Sequence, residues 1–260
     1  MNSVLFDVTN GVAKITLNRP EAFNAINEDM MNNLARQIEL CFAPEIRAVI
    51  ITGAGNAFCG GGDLKEMKKA GEENLSGLLG KLAQEFHRLI LDIRYLPKPV
   101  IAAVNGSNGG GGFSLALACD LRYAAETAHF KQSYTSVGLS PDGGFTAFLP
   151  TIIGLAKSTE LFLLDPVLDS LQAKQLGIIT DSFPPDQLMP NVTAIAEKLA
   201  NGPTQSYASV KRLLNLSLLP ALEKQLEQER QGMIAAGLSN DAKEGVRAFT
   251  EKRKPAFTGS

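Results

Sequence analysis

Two glycine-rich segments constrain the fold of this chain most, because each follows a short apolar run with the composition of a buried strand. Residues Arg47–Thr52 precede the segment Cys59–Leu64, which contains three consecutive glycines. Residues Val100–Val104 precede the segment Gly109–Ser114, which contains four. Apolar runs without alternation are typical of strands covered on both faces. The pattern therefore predicts an α/β chain in which a strand, a glycine-rich turn and a helix recur.

The same turns predict a carbonyl-binding site. Glycine lets a backbone approach a ligand closely and adopt positive φ angles, so two such turns can direct two backbone N–H groups at one point. Paired N–H groups form the oxyanion holes that stabilise negative charge on a carbonyl oxygen. We therefore predict an enzyme that acts on a carbonyl compound.

Phosphate binding by the glycine segments fits the sequence less well. A Walker A phosphate loop requires a lysine after the glycines, whereas Phe113 and Ser114 follow Gly112. A dinucleotide fingerprint accounts for part of the second segment, but neither for its four consecutive glycines nor for the matching first segment. Tight turns that only permit close backbone packing stay open as an alternative for either segment alone.

Alternation and helical spacing predict the remaining elements. Residues Val4–Thr9 and Val12–Leu17 alternate around an Asn-Gly pair, which predicts a hairpin. Apolar residues at helical spacing predict a long helix over Leu75–Tyr95 and a shorter one over Phe145–Ile153. From Leu155 onward the pattern is helical, with breaks at prolines and at one glycine. We divide the chain into a core over 1–200 and a helical segment over 201–260.

The charged residues near the end of the chain predict exposed or subunit-bridging helices over Glu223–Arg230 and Asp241–Lys254. The formal net charge is −2, which does not favour binding to nucleic acid. No run of about 18 uncharged apolar residues occurs, so we predict no membrane span. The chain has 3 cysteines without metal or redox spacing and only 2 histidines. We expect a reducing, cytoplasmic location and no histidine-rich metal site.

Six blocks along the whole chain form a recognisable pattern: residues 18–25, 58–64, 99–106, 110–112, 118–120 and 249–255. Their order and spacing closely resemble the crotonase superfamily, whose best-known members are enoyl-CoA hydratases and isomerases. The resemblance implies a spiral of repeated ββα units with a C-terminal helical segment that builds trimers or hexamers. It also implies an acyl-CoA thioester substrate, as in fatty acid metabolism, with no cofactor other than the CoA of the substrate.

The resemblance also implies the site residues. Gly62 and Gly111 match the two N–H donors of the family's oxyanion hole, which would hold the thioester carbonyl. Lys252 matches a position that helps to bind CoA phosphates, although a lysine on a solvated helix face is an equal alternative. The expected contacts to CoA and substrate are Ala22, Phe23, Ala25, Gly60, Gly62, Asp63, Leu64, Lys65, Gly111 and Lys252.

The acid/base residues depart from the hydratase pattern. Hydratases of this family use two glutamates, and Ser114 and Tyr134 stand at the matching positions. Both can be pocket or helix residues without a catalytic role. Isomerases of the family place a single acid at the position of Asp142, which by local rules alone would be a turn residue or an N-cap. One carboxylate can move a proton between two carbons, so an enoyl-CoA isomerase is our first expectation.

Two alternatives stay open. The family's haloaryl-CoA dehalogenases have an aspartate nucleophile at the position of Asp142 and a histidine that matches His87, which makes a hydrolytic enzyme of the dehalogenase or thioesterase type one alternative. We prefer to interpret His87 as a residue at the edge of the apolar stripe of its helix. A hydratase in which Ser114 or Tyr134 has an unusual role is part of this first alternative. The second alternative is a non-catalytic acyl-CoA-binding subunit that retains the glycine turns.

Overall fold

Two β-sheets form the centre of the molecule. The computed structural model describes residues 2–260. The larger sheet has six strands in the order β1-β2-β3-β5-β7-β10, and the smaller has four in the order β4-β6-β8-β9. The strands are β1 (Val4–Thr9), β2 (Val12–Leu17), β3 (Ala48–Gly53), β4 (Ala57–Cys59), β5 (Val100–Val104), β6 (Ser107–Gly109), β7 (Leu121–Ala125), β8 (His129–Lys131), β9 (Leu168–Asp169) and β10 (Asp181–Phe183).

Three consecutive strand pairs show the repeat that the glycine segments predict. The first strand of each pair, β3, β5 or β7, lies in the larger sheet and runs parallel to its neighbours. The second strand, β4, β6 or β8, lies in the smaller sheet, where β6 runs parallel to both β4 and β8. A helix follows each pair. The repeated ββα arrangement is therefore confirmed.

The N-terminal hairpin is also confirmed, with the predicted bounds. Strands β1 and β2 pair antiparallel from Val4 opposite Leu17 to Thr9 opposite Val12. The turn residues Asn10 and Gly11 have φ values of 52° and 75°. Positive φ at both positions is what a two-residue hairpin requires, and asparagine and glycine tolerate it best.

The helices cover the sheets and line the site. Helix α3 has the predicted bounds, and it packs against α1 and α10. The helices are α1 (Glu28–Leu40), α2 (Leu64–Ala70), α3 (Leu75–Tyr95), α4 (Gly111–Ala118), α5 (Phe145–Ile153), α6 (Leu155–Leu164), α7 (Ser170–Gln175), α8 (Pro185–Ala200), α9 (Thr204–Leu218), α10 (Leu222–Leu238) and α11 (Asn240–Thr250).

The prediction that the chain is helical after Leu155 was wrong at two places. Strand β9 pairs with β8, and β10 extends the larger sheet beside β7. Each has only two or three residues, which is too short to show an alternating pattern. One edge of each sheet therefore comes from a region whose sequence pattern is helical.

Helix α9 is tied to the core by a buried charge network. Lys211 of α9 pairs with Asp120 at 2.8 Å and donates hydrogen bonds to the carbonyls of Ile93 and Lys98. Arg94 pairs with the same aspartate at 3.1 Å. Helix α8 ends at Ala200 before α9 begins, and the division of the chain at residue 200 stays a prediction. Among residues 2–260, no helix is long and apolar enough to cross a membrane.

Candidate active site

A cavity of about 870 Å³ lies where the glycine turns meet α2, α3 and the C-terminal helices. Buried side chains of α3 and α10, including Leu79, Phe86 and Met233, give it an apolar wall. Exposed cationic side chains, including Lys65 and Arg253, lie along its outer part. All residues expected to contact CoA and substrate line this one cavity, namely Ala22, Phe23, Ala25, Gly60, Gly62, Asp63, Leu64, Lys65, Gly111 and Lys252.

The two glycine turns touch each other at this cavity. Helix α4 begins at Gly111, so the Gly111 N–H has no acceptor within the helix. The Gly62 N–H has no hydrogen-bond partner among residues 2–260. A Cβ on Gly61 would lie 3.3 Å from the backbone nitrogen of Gly111, so no side chain fits between the turns. Two available N–H groups on adjoining turns thus border one cavity.

Asp142 lines the same cavity from the loop before α5. The residue is 5% exposed, and its Oδ1 atom forms a short hydrogen bond with Nε2 of His87. The Oδ2 atom has no protein hydrogen-bond partner within residues 2–260. A Cβ on Gly143 would clash with the Phe86 ring, and one on Gly111 would lie 3.6 Å from it. The Phe86 ring therefore lies against both the Asp142 loop and the glycine turn.

The contact between His87 and Asp142 corrects our interpretation of the histidine. His87 is 6% exposed on α3, and it does not close the edge of an apolar stripe. It lies behind Asp142, because Asp142 lines the cavity and His87 does not. The imidazole thus occupies one carboxylate oxygen and leaves the other available.

Ser114 and Tyr134 also contact Asp142, but at its main chain. The Ser114 hydroxyl donates to the Asp142 carbonyl at 2.6 Å, and the Tyr134 hydroxyl is 3.1 Å from the same oxygen. The two hydroxyls are 3.0 Å apart. Burial raises the pKa of Tyr134 well above its usual value, and nearby Asp142 adds to this effect. The tyrosine therefore keeps its proton and acts as a donor near neutral pH.

Glu229 of α10 is a further buried carboxylate at this loop, and our sequence interpretation missed it. Its side chain accepts hydrogen bonds from the N–H groups of Gly144 (2.6 Å) and Thr146 (2.9 Å), and from the Thr146 hydroxyl. Burial raises its pKa to about 7, with a smaller contribution from Asp142, while the bonds from Thr146 and Gly144 oppose the shift. The predicted exposed helix over Glu223–Arg230 is thus wrong at residue 229, which is 4% exposed.

His87, Asp142 and Glu229 offer nitrogen and oxygen atoms that all lie within 4.8 Å of one another. Such a set can hold a metal ion in principle. Here Nε2 of His87 and Oδ1 of Asp142 are hydrogen-bonded to each other. Both oxygens of Glu229 accept hydrogen bonds from backbone N–H groups, and one also accepts from a hydroxyl. Hydrogen bonding thus accounts for the cluster.

The remaining acidic residues of the cavity are exposed or already engaged. Glu21 is exposed. Asp63 caps α2 by accepting from the N–H groups of Lys65 and Glu66, and it pairs with Arg19 at 2.8 Å. Asp142 is therefore the buried carboxylate that keeps a free oxygen at the cavity.

Lys252 lines the cavity, but it does not lie in the last helix. Helix α11 ends at Thr250, and Lys252 follows in a turn with a φ of 54°. Lys252 is exposed in this turn, so a solvated lysine without a contact to CoA stays an alternative. His129, for which the sequence suggested no role, is exposed on β8.

Comparisons with known proteins agree with the fold. The family model described as enoyl-CoA hydratase/isomerase matches residues 7–260. A probable enoyl-CoA hydratase of Rhodobacter capsulatus is 38% identical over 99% of this chain and 98% of its own. The 1,2-epoxyphenylacetyl-CoA isomerase of Escherichia coli is 37% identical over 100% of this chain and 99% of its own. The crystal structure of an enoyl-CoA hydratase from Mycobacterium avium subsp. paratuberculosis superimposes with a TM-score of 0.89, at 32% identity and 98% coverage of both chains.

Proposed function

Because the chain belongs to the enoyl-CoA hydratase/isomerase family, we propose that it is an enoyl-CoA isomerase, with Asp142 as its single acid/base. The observation that supports this proposal most directly is that Asp142 is the buried carboxylate with a free oxygen on the cavity wall. At the positions where family hydratases use glutamates, Ser114 and Tyr134 instead hold the Asp142 carbonyl. Water addition would require a second group to position the water, whereas a double-bond shift requires one carboxylate. The isomerase name of the Escherichia coli relative supports this choice.

In the proposed reaction the thioester carbonyl accepts hydrogen bonds from the N–H groups of Gly62 and Gly111. The Asp142 carboxylate removes a proton from C2 of a 3-enoyl-CoA, and the electron pair moves onto the thioester oxygen. The two N–H groups stabilise this enolate. Asp142 then returns the same proton to C4, which gives the 2-enoyl-CoA without net addition or loss of atoms.

The CoA part of the substrate would follow the exposed side of the cavity. Lys65 and Lys252 line the cavity and would bind the CoA phosphates, and the apolar wall of α3 and α10 would receive the acyl chain. We further propose a trimer or hexamer, because α6 and α9 expose large apolar side chains, such as Leu164 (73%) and Leu216 (61%), that a subunit interface would cover. The cysteines are free thiols, as a cytoplasmic location allows.

The decisive experiment offers 3-enoyl-CoA, 2-enoyl-CoA and haloaryl-CoA thioesters to the wild type and to Asp142→Asn. We expect turnover of 3-enoyl-CoA by the wild type and a loss of about 10²- to 10⁴-fold in the variant, as for removal of a general acid/base. The exposed Asp186→Asn on α8 is a matched control that should keep wild-type activity. Wild-type turnover in Asp142→Asn would refute the assignment. A 3-hydroxyacyl product would indicate a hydratase, and binding without turnover would indicate a non-catalytic subunit.

A hydrolytic enzyme is a second candidate, because His87 and Asp142 form a hydrogen-bonded pair. In that reaction the Asp142 carboxylate would attack the aryl carbon of a haloaryl-CoA and expel halide, which leaves an aspartyl ester, or attack the thioester carbonyl carbon and expel the CoA thiolate, which leaves an anhydride. Water, with His87 as base, would then hydrolyse that ester or anhydride and regenerate the carboxylate. The two functions are separated by reaction in ¹⁸O-labelled water under single-turnover conditions. Label in the Asp142 side chain or in the product would support hydrolysis, whereas isomerisation incorporates none.

A further inference from the structure

The segment from Asp142 to Thr146 is held by hydrogen bonds from several different elements. His87 of α3 binds the Asp142 carboxylate. The hydroxyls of Ser114 and Tyr134 bind the Asp142 carbonyl. Glu229 of α10 binds the N–H groups of Gly144 and Thr146. The first two contacts are made to the proposed acid/base itself, but the third comes from a residue that does not line the cavity.

We propose that Glu229 is a positioning residue that fixes the Asp142 carboxylate against the thioester by anchoring the start of α5. This inference deepens the proposed isomerase function and rests on it. Gly143 and Gly144 have φ values of 72° and 79°, so the loop adopts a backbone conformation that few residues prefer. The N–H groups that follow lie in the first turn of α5, where a helix leaves donors without internal acceptors. A carboxylate is the favoured partner at this end of a helix.

The anchor is also placed to sense charge at Asp142. The groups that face Glu229 are His87 from α3, Asp142 and Thr146 from the loop and α5, and the Tyr134 hydroxyl beyond them. Glu229 and Asp142 both carry negative charge when ionised, and little water separates them because both are buried. Ionised Glu229 holds the loop by charge-assisted hydrogen bonds. Protonation of Glu229 weakens these bonds.

The test measures isomerisation of 3-enoyl-CoA by the wild type, Glu229→Gln and Glu229→Asp between pH 5.5 and 8.5. The wild-type kcat should rise with pH near the Glu229 pKa of about 7. In Glu229→Gln we expect that rise to disappear and kcat to fall about 10- to 100-fold, as for a small misplacement of a reacting group. KM should change by less than about twofold, because the CoA contacts are elsewhere. Glu229→Asp should restore the pH dependence in part.

Glu223→Gln is the matched control, because it removes the same charge from an exposed position of the same helix. It should keep the wild-type kcat and pH profile. A Glu229→Gln variant with wild-type kcat and an unchanged pH profile would overturn the inference. A purely structural role would lower the melting temperature and leave the profile of the remaining activity unaltered, which also contradicts it.

Crystal structures separate this inference from the proposed function. If the wild type does not turn over 3-enoyl-CoA, the isomerase proposal fails, and the anchoring role is then decided by the position of the Asp142 carboxylate in Glu229→Gln. We expect residues 142–146 to move in that variant and to stay in place in Glu223→Gln. An unmoved loop would overturn the anchoring role whatever the reaction is.

Discussion

The stability of the protein should depend on pH through Glu229, and the substitution Glu229→Gln isolates this dependence. Burial raises the pKa of Glu229 from 4.5 to about 7. An acid whose pKa is higher in the folded than in the unfolded state binds more protons when folded. Its contribution to stability is therefore fully present below about pH 4.5 and is lost as the pH rises through about 7.

The size of the effect follows from the shift. Each pKa unit corresponds to about 1.4 kcal/mol, so a pKa of about 7 against 4.5 amounts to roughly 3 kcal/mol over the whole range. Between pH 5.5 and 8 the loss is about 2 kcal/mol. A chain of this size changes its melting temperature by roughly 2–4 °C per kcal/mol. Relative to Glu229→Gln, the wild type should thus lose about 4–8 °C over this range.

Thermal unfolding of both proteins at equal concentration, in steps of half a pH unit, measures the difference. The remaining titrating groups are common to the two proteins and cancel in the comparison to a first approximation. Glu223→Gln should show a nearly constant difference from the wild type, because its side chain is exposed. A gap between wild type and Glu229→Gln that is constant from pH 5.5 to 8, or that changes in the opposite direction, would refute the assignment of a raised pKa to Glu229.

Three further outcomes are expected. Gly112→Ala should lower the free energy of unfolding by about 1–3 kcal/mol, because its Cβ would lie 2.6 Å from the Cβ of Cys59. In Gly77→Ala the new Cβ meets no atom within 4 Å, so this variant should gain roughly 0.5–1 kcal/mol. Chemical denaturation of both variants measures the two changes. Lys211→Met removes a buried cation from Asp120 and two carbonyls and should cost about 3–5 kcal/mol, with faster hydrogen exchange in α9 as its local signature. The cysteine thiols, whose pKa burial raises to about 12, should not react with a thiol reagent at pH 8 until the protein unfolds.

The sequence predicts the elements with a long or distinctive pattern. The hairpin, α3 and α5 have the expected bounds, since each carries either an Asn-Gly turn or several turns of helical spacing. The strands of two or three residues in the smaller sheet, and β10 in the larger, could not be predicted. They are too short for a period to emerge, and the pairing partner rather than the local sequence makes them strands.

The site is predictable where it is made of backbone. Glycine turns after buried strands predict two backbone donors, and the family resemblance assigns them to Gly62 and Gly111. The structure places both glycines on one cavity. The partners of Asp142 are harder to find, because they lie far away along the chain. His87 is 55 residues distant and Ser114 is 28 residues distant. Only the folded chain brings them to one aspartate.

The two side chains that we misjudged nevertheless share a readable signal. His87 lies four residues after Ala83 and three before Ile90, on the buried face of α3. Glu229 lies three residues after Leu226 and four before Met233, on the buried face of α10. Each is thus a titratable residue at an apolar position of its helix. An ionisable group in such a position requires a polar partner, because burial of an unpaired charge is costly.

His87 and Glu229 also belong together, because their helices, α3 and α10, pack against each other. Burying one titratable side chain on the apolar face of a single helix would lower stability, but two such side chains on packed helices can share one polar cluster. Here they meet around the loop that carries Asp142, which supplies the bonds that both require. Polar residues in the apolar stripes of two packed helices therefore locate the support of the proposed acid/base more directly than its own Pro-Asp-Gly-Gly turn does.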